Sequence, residues 1–175
     1  MTFLSHKEQK AVVDAIMRAE KNTSGELRVH IDRLCQNEEV LDRAAWVFNE
    51  LGMTHTERRN GVLIYIAADS HKFAIIGDAG INAIVPENFW DQAKEAMAKA
   101  FSEGRIAEGI VAAIETIGIQ LREHFPWQTD DVDELPNEIS YGEVDEVDNS
   151  ISYGADMRKG LLRRLFGKRN KQGQQ

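Results

Sequence analysis

Long apolar runs, paired cysteines and an excess of positive charge are all missing from this 175-residue chain. No stretch approaches the roughly 20 consecutive apolar residues of a membrane-crossing helix, so no such anchor is expected. Cys35 is the single cysteine, which excludes an internal disulfide and a cysteine-based zinc site. The opening residues, Met1-Thr2-Phe3-Leu4-Ser5-His6-Lys7, lead into charged sequence, so a secretory leader is not expected either. The formal charge of −8 argues against a general nucleic-acid binder. The histidines (His6, His30, His55, His71, His124) are scattered, with no His-x-x-x-His or His-Glu-x-x-His pair. With 42% apolar and 29% charged residues, the expectation is a soluble, cytoplasmic protein with one domain and an appendage.

What charge there is lies unevenly. Residues 1–128 carry a net of −5. Residues 129–156 hold ten acids and no lysine or arginine, and residues 157–175 hold seven bases and no acid. Single-sign blocks repel themselves and favour solvated chain, so a domain is expected over residues 1–126. A flexible acidic tail over 127–156 and a basic segment over 157–175 would follow. The tail contains an echo: Asn137-Glu138-Ile139-Ser140-Tyr141-Gly142 returns as Asn149-Ser150-Ile151-Ser152-Tyr153-Gly154. Two copies do not make a solenoid. Either each Ile/Tyr pair tacks the tail to the domain, or each copy is a short motif offered to a partner's sheet edge.

Within the domain, Ser5-His6-Lys7-Glu8 has the form of a capping box, and Ala11, Val12, Ala15, Ile16 and Ala19 continue at helical spacing to about residue 21. The turn cluster Asn22-Thr23-Ser24-Gly25 precedes an alternating run, Glu26-Leu27-Arg28-Val29-His30-Ile31-Asp32, expected as a half-buried strand with His30 facing solvent or a surface bond. Asn37 is the expected cap of a helix bearing Leu41, Ala44, Ala45, Phe48 and Leu51, closed by Gly52. Residues 61–68 are almost continuously apolar, as a strand covered on both faces would be. After Asp69-Ser70-His71, residues 72–77 form an antiparallel return. Residues 78–82 read as a loop, Pro86 as the opening of a helix carrying Trp90, Ala93, Met97, Ala100 and Phe101. A final helix bears Ile106, Ile110, Ile114, Ile117 and Leu121. This order is that of an α/β layer structure.

Strand direction decides which loops meet. If the strands opening at Glu26 and Gly61 are parallel, they begin at one end of the sheet, and the antiparallel third strand finishes there at Gly77. Glu26, Asn60, Asp78 and Asn82 then surround one cleft, each supplying an oxygen, the donor that Ca²⁺ and Mg²⁺ require. Asp and Asn beside Gly are also ordinary turn residues, a role that competes with metal ligation at each position.

At these residues the chain resembles a known family. Arg59-Asn60-Gly61-Val62-Leu63-Ile64-Tyr65-Ile66-Ala67, the Gly77-Asp78-Ala79-Gly80-Ile81 turn and the helical pair with Phe101, Gly104 and Gly109 are similar to the TPM domain over roughly residues 8–124. The closest likeness is to short bacterial members. The resemblance implies a Rossmann-like α/β/α sandwich with a small mixed sheet, a parallel pair plus an antiparallel hairpin strand. It also implies binding of a divalent cation, as in some relatives, and acid phosphatase activity, as claimed for a thylakoid relative connected with photosystem II repair. By position, Asp78 falls in the family's Gly-rich motif and Asn60 in its Asp/Asn-Gly-Val motif, with Glu26 as a further ligand. The turn departs from the Gly-x-Gly-Leu-Glu of many members, which puts the ligand set in question.

Other constellations are weaker. Gly77-x-x-Gly80 lacks the spacing of a dinucleotide fingerprint and follows a hairpin strand. Asp131-x-Asp133 lacks the glycine and glutamate of an EF-hand. Cys35 has no organised base near it in sequence. His55, Arg58 and Arg59 would meet phosphate charge in a phosphatase, yet no nucleophile is marked. Leu161, Leu162, Leu165 and Phe166 share one helical face within 157–169, which suits weak contact with an anionic membrane or a partner helix. The leading expectation is a divalent-cation-binding module for assembly in membrane-proximal protein maintenance. A metal-assisted phosphatase in the same cleft is the enzyme alternative, and an adaptor working through residues 129–175 is the third.

Overall fold

The computed structural model describes residues 3–35, 39–132 and 134–142. Helix α1 (His6–Glu20) starts at Ser5, whose side chain and that of Glu8 complete the expected capping box. Strand β1 (Glu26–Asp32) lies parallel to β2 (Gly61–Ala67), in register Glu26 with Gly61. Strand β3 (Lys72–Gly77) returns antiparallel to β2, and β4 (Ser140–Tyr141) is parallel to β1 on its other side. The sheet order is β3-β2-β1-β4. Between the strands lie α2 (Val40–Glu50), α3 (Ala79–Asn82), α4 (Asp91–Ser102) and α5 (Ile106–His124). An open mixed sheet flanked by helices is thus the fold that the strand pattern predicts.

The period-2 alternation of the strands sorts two cores. Leu27, Val29, Ile31, Val62, Ile64, Ile66 and Ile75 face a cluster with Val12, Ile16, Met97, Ile110, Ile114 and Ile117 of α1, α4 and α5. Leu63, Tyr65, Ala67, Ala74 and Ile76 face Ala44, Ala45, Val47 and Phe48 of α2. Each fully buried aliphatic side chain contributes about 1.5–3 kcal/mol, so both layers are needed to hold the sheet.

Three local expectations change. Residues 86–90 form turns and α4 begins at Asp91, because Phe89 N–H bonds Pro86 O and Asp91 N–H bonds Asn88 O before the helical ladder starts. Residues 79–82 are a single helical turn capped by the Asp78 carboxylate, not a plain loop. β1 is buried at all seven positions, His30 included. The proposed cap Asn37 lies outside the described residues; α2 begins after Glu39. Among the described residues, no helix is long and apolar enough to cross a membrane.

The acidic stretch that its charge sets apart from the domain is seated on it as far as residue 142. Thr23 bridges Pro126, Ser24 N–H donates to Phe125 O, and Arg58 donates to the Gln128 side chain. Leu135 is buried against the α2 layer, Ile139 packs on the opposite core, and residues 140–141 pair with His30 and Ile31. The first Ile-Ser-Tyr-Gly copy therefore completes the chain's own sheet. The second copy and the basic segment 157–175 lie outside the described residues.

Candidate functional site

The strand registers bring the predicted residues to one end of the sheet. Glu26 N–H donates to Asn60 O (3.3 Å), and Asp78 N–H donates to Gly61 O (2.9 Å). Asp78 has 0% exposure. Arg59 grips it with two charge-assisted bonds, Nε to Oδ2 and Nη2 to Oδ1, both 2.7 Å, and Ala79 N–H adds a third to Oδ1. The side chain of Arg59 is 44% exposed, and its backbone sits in the left-handed region at φ 51°. That conformation costs a non-glycine residue on the order of 1 kcal/mol. Gly80 makes the grip possible: a Cβ there would run into the carbonyl oxygens of Arg58 and Arg59.

Asn60 is buried, and its Nδ2 donates to Ser24 O (3.0 Å), tying the β1 and β2 entries together. Its Oδ1 is buried without a hydrogen-bond partner among the described residues. Glu26 is buried too, its Oε1 accepting from Glu134 N–H (2.9 Å) and its Oε2 from Leu135 N–H (3.4 Å). Asn82 is exposed, and its Nδ2 donates to Gly77 O (2.9 Å). The donors at this end are all oxygen, the right chemistry for a hard cation. Among the described residues, no three His, Cys, Asp or Glu side chains are grouped closely enough to hold a metal by themselves. Any ion here would depend on amide and carbonyl oxygens beside Asp78.

At the opposite end stands another buried carboxylate, Asp32, that sequence reading missed. Asp32 Oδ1 meets His30 Nε2 (3.0 Å), while Oδ2 accepts from Arg43 Nε and the Tyr65 hydroxyl, each 2.8 Å. Burial pushes the Asp32 carboxyl up, but the bonds from His30, Arg43 and Tyr65 outweigh it and hold it well below the usual carboxylate range. Burial beside that negative charge pushes the Tyr65 phenol far up. His30 stacks on Tyr65, and the Arg43 guanidinium lies 4.5 Å over Trp46. A carboxylate only accepts, so in the neutral imidazole Nε2 carries the proton and Nδ1 accepts from the Ser140 hydroxyl at 2.9 Å. The signal was in the register: residues 30 and 32 share a face, and parallel pairing aligns His30 with Tyr65.

Comparison with known proteins agrees with this architecture. The TPM domain family matches residues 1–120. The solution structure of BA42 from the psychrophilic bacterium Bizionia argentinensis is 49% identical, with a TM-score of 0.76, covering 81% of this chain and 97% of its own. The N-terminal domain of cg2496 from Corynebacterium glutamicum is 15% identical (TM-score 0.55), over 67% of this chain and 74% of its own. An N-terminal domain from P. gingivalis is 17% identical (TM-score 0.59), over 70% and 79%. At such identities these two speak for the fold alone. No curated protein matches. With the family match over residues 1–120 and a half-identical relative spanning most of its length, the chain belongs to the TPM domain family.

Proposed function

We propose that the loop end of the sheet is a divalent-cation site centred on Asp78, with Asn60 and Glu26 as further oxygen donors and Asn82 at its rim. The chain then works as a cation-responsive binding module. The observation that carries this reading is a fully buried carboxylate whose counter-charge is half exposed, at the same strand end as a buried amide oxygen, Asn60 Oδ1, that lacks a partner. Arg59 already engages both Asp78 oxygens, so the guanidinium and a Ca²⁺ or Mg²⁺ ion compete for one carboxylate. Arg59 is the group with somewhere to go, because its side chain reaches solvent.

Titration with Ca²⁺ or Mg²⁺, followed through backbone amide resonances, tests this. The amides of Asn60, Gly61, Asp78 and Ala79 should move together in the native chain and stay still in Asp78→Asn. Equal shifts in both chains, or shifts confined to the acidic segment, would reject the site.

The phosphatase alternative uses the same residues and needs an attacking group with in-line access. Asp78 is sealed from solvent, so turnover of an aryl phosphate that disappears in Asp78→Ala would be required to prefer it. A protein partner for residues 129–175, weak membrane contact through 157–169 and a cytoplasmic setting complete the proposal and rest on the sequence.

A further inference from the structure

One face of β1 is a polar row, Glu26, Arg28, His30 and Asp32, and the segment 134–142 meets it step by step. Glu26 takes the backbone N–H groups of Glu134 and Leu135. Buried Arg28 feels the charge of Glu138, while its Nε has no hydrogen-bond partner among the described residues. His30 bonds the Ser140 hydroxyl, which also lies 3.3 Å from Val29 O. Gly142 N–H donates to Ile31 O (3.0 Å), and its Cα lies so close to Asp32 that a Cβ would collide with Oδ1. Asp32 cannot yield, being held by His30, Arg43 and Tyr65.

The residues that make this fit are Ile139, Ser140 and Gly142, and all recur twelve positions later as Ile151, Ser152 and Gly154. The exposed Tyr141 recurs as Tyr153, and Asn137 as Asn149. The single difference is at the exposed Glu138, where the second copy has Ser150.

We propose that the β1 edge is a docking groove for the Asn-x-Ile-Ser-Tyr-Gly sequence, and that residues 149–154 are its second occupant, exchanging with residues 137–142 within one chain. The anchor at Leu135 stays in place and the intervening residues loop out. Loop cost rises only slowly with length, so the longer connection does not forbid the exchange. Glu138 opposite Arg28 biases the groove toward the first copy, a preference that salt weakens. Ser150 lacks that charge. Exchange shortens the tether of the basic segment 157–169 by twelve residues, up to about 40 Å of extended chain. The repeat thereby sets two reaches for whatever the basic segment contacts.

Amide hydrogen exchange by mass spectrometry on the full chain tests this, comparing the native sequence, Gly142→Ala and the double variant Gly142→Ala/Gly154→Ala. In Gly142→Ala, exchange over 151–154 should slow roughly tenfold, exchange over 139–142 should speed up by a similar factor, and β1 should keep its protection. The double variant should lose protection at the β1 edge while β2 and β3 stay protected. Unchanged exchange over 151–154 in Gly142→Ala, with β1 opening, would overturn the proposal. Protection of 151–154 that grows with protein concentration alongside a dimer would also overturn it, by assigning the segment to a neighbouring molecule. Should Gly142→Ala fail to fold, Ser140→Ala removes only the hydroxyl and should produce the same transfer at smaller size.

Discussion

The two ends of the sheet solve one problem, a buried carboxylate, in different ways. Asp32 is held by Arg43, its counter-charge, and by hydrogen bonds from His30 and Tyr65, all carried on strands or a helix inside the fold. Asp78 is neutralised by Arg59, which reaches in from a loop and keeps 44% of its side chain in solvent. A charge satisfied by several groups on packed elements is fixed, because moving one partner strands the others in a low-dielectric interior. A charge satisfied by one solvent-facing arginine is exchangeable, because that arginine loses little when it leaves. The first arrangement holds the tail and the sheet together; the second leaves a place where an ion can substitute.

The largest expected effect falls on the fixed end. Asp32→Ala would leave Arg43, the Tyr65 hydroxyl and His30 without their shared acceptor, and should lower unfolding free energy by about 3–5 kcal/mol in urea melts. A loss no larger than at Asp78 would break the contrast. The pH dependence follows from the same group. Its folded pKa is depressed, so its contribution is present above the ordinary carboxylate range and is lost as pH falls below about 4 toward the lower folded value. Asp32→Asn should flatten that acid limb; an unchanged limb would assign it to other carboxylates.

Arg59→Gln comes next. It leaves the sealed Asp78 carboxylate with the Ala79 N–H but no cation, and should cost about 2 kcal/mol without added metal. Asp78→Ala should cost less, about 1–2 kcal/mol, because the freed Arg59 turns to water and only a helix cap and its bonds are lost. The reverse order would show Arg59 to be as tightly embedded as Arg43. Smallest is Ser140→Ala, about 1 kcal/mol, read in the same melts and felt only at the β1 edge.

How much of this the sequence discloses depends on range. The capping box at Ser5, the two cores sorted by alternation, and the meeting of Glu26, Asn60 and Asp78 at one sheet end all follow from local pattern plus strand direction. The cover over β1 does not. Alternation announces a polar face at Glu26, Arg28, His30 and Asp32, and polar residues usually mean water. Here Glu26 and His30 find partners more than a hundred residues away, in a segment whose acidity argues for free solution, while Asp32 is held by His30, Arg43 and Tyr65. The Arg59–Asp78 pair was hidden for a related reason. The sequence shows an arginine in a polar loop, and only the fold, with Gly80 letting the two turns touch, brings it to the carboxylate.

Exchangeability at Asp78 can be measured directly as the gain in unfolding free energy on adding saturating Ca²⁺, for the native chain and Arg59→Gln side by side. If ion and guanidinium share one carboxylate, the ion should stabilise Arg59→Gln more than the native chain. The gain should approach about 2.7 kcal/mol at a hundredfold excess over the dissociation constant. Equal gains in the two chains, or none in either, would mean that Asp78 and Arg59 are a structural pair and that the loop end is no cation site.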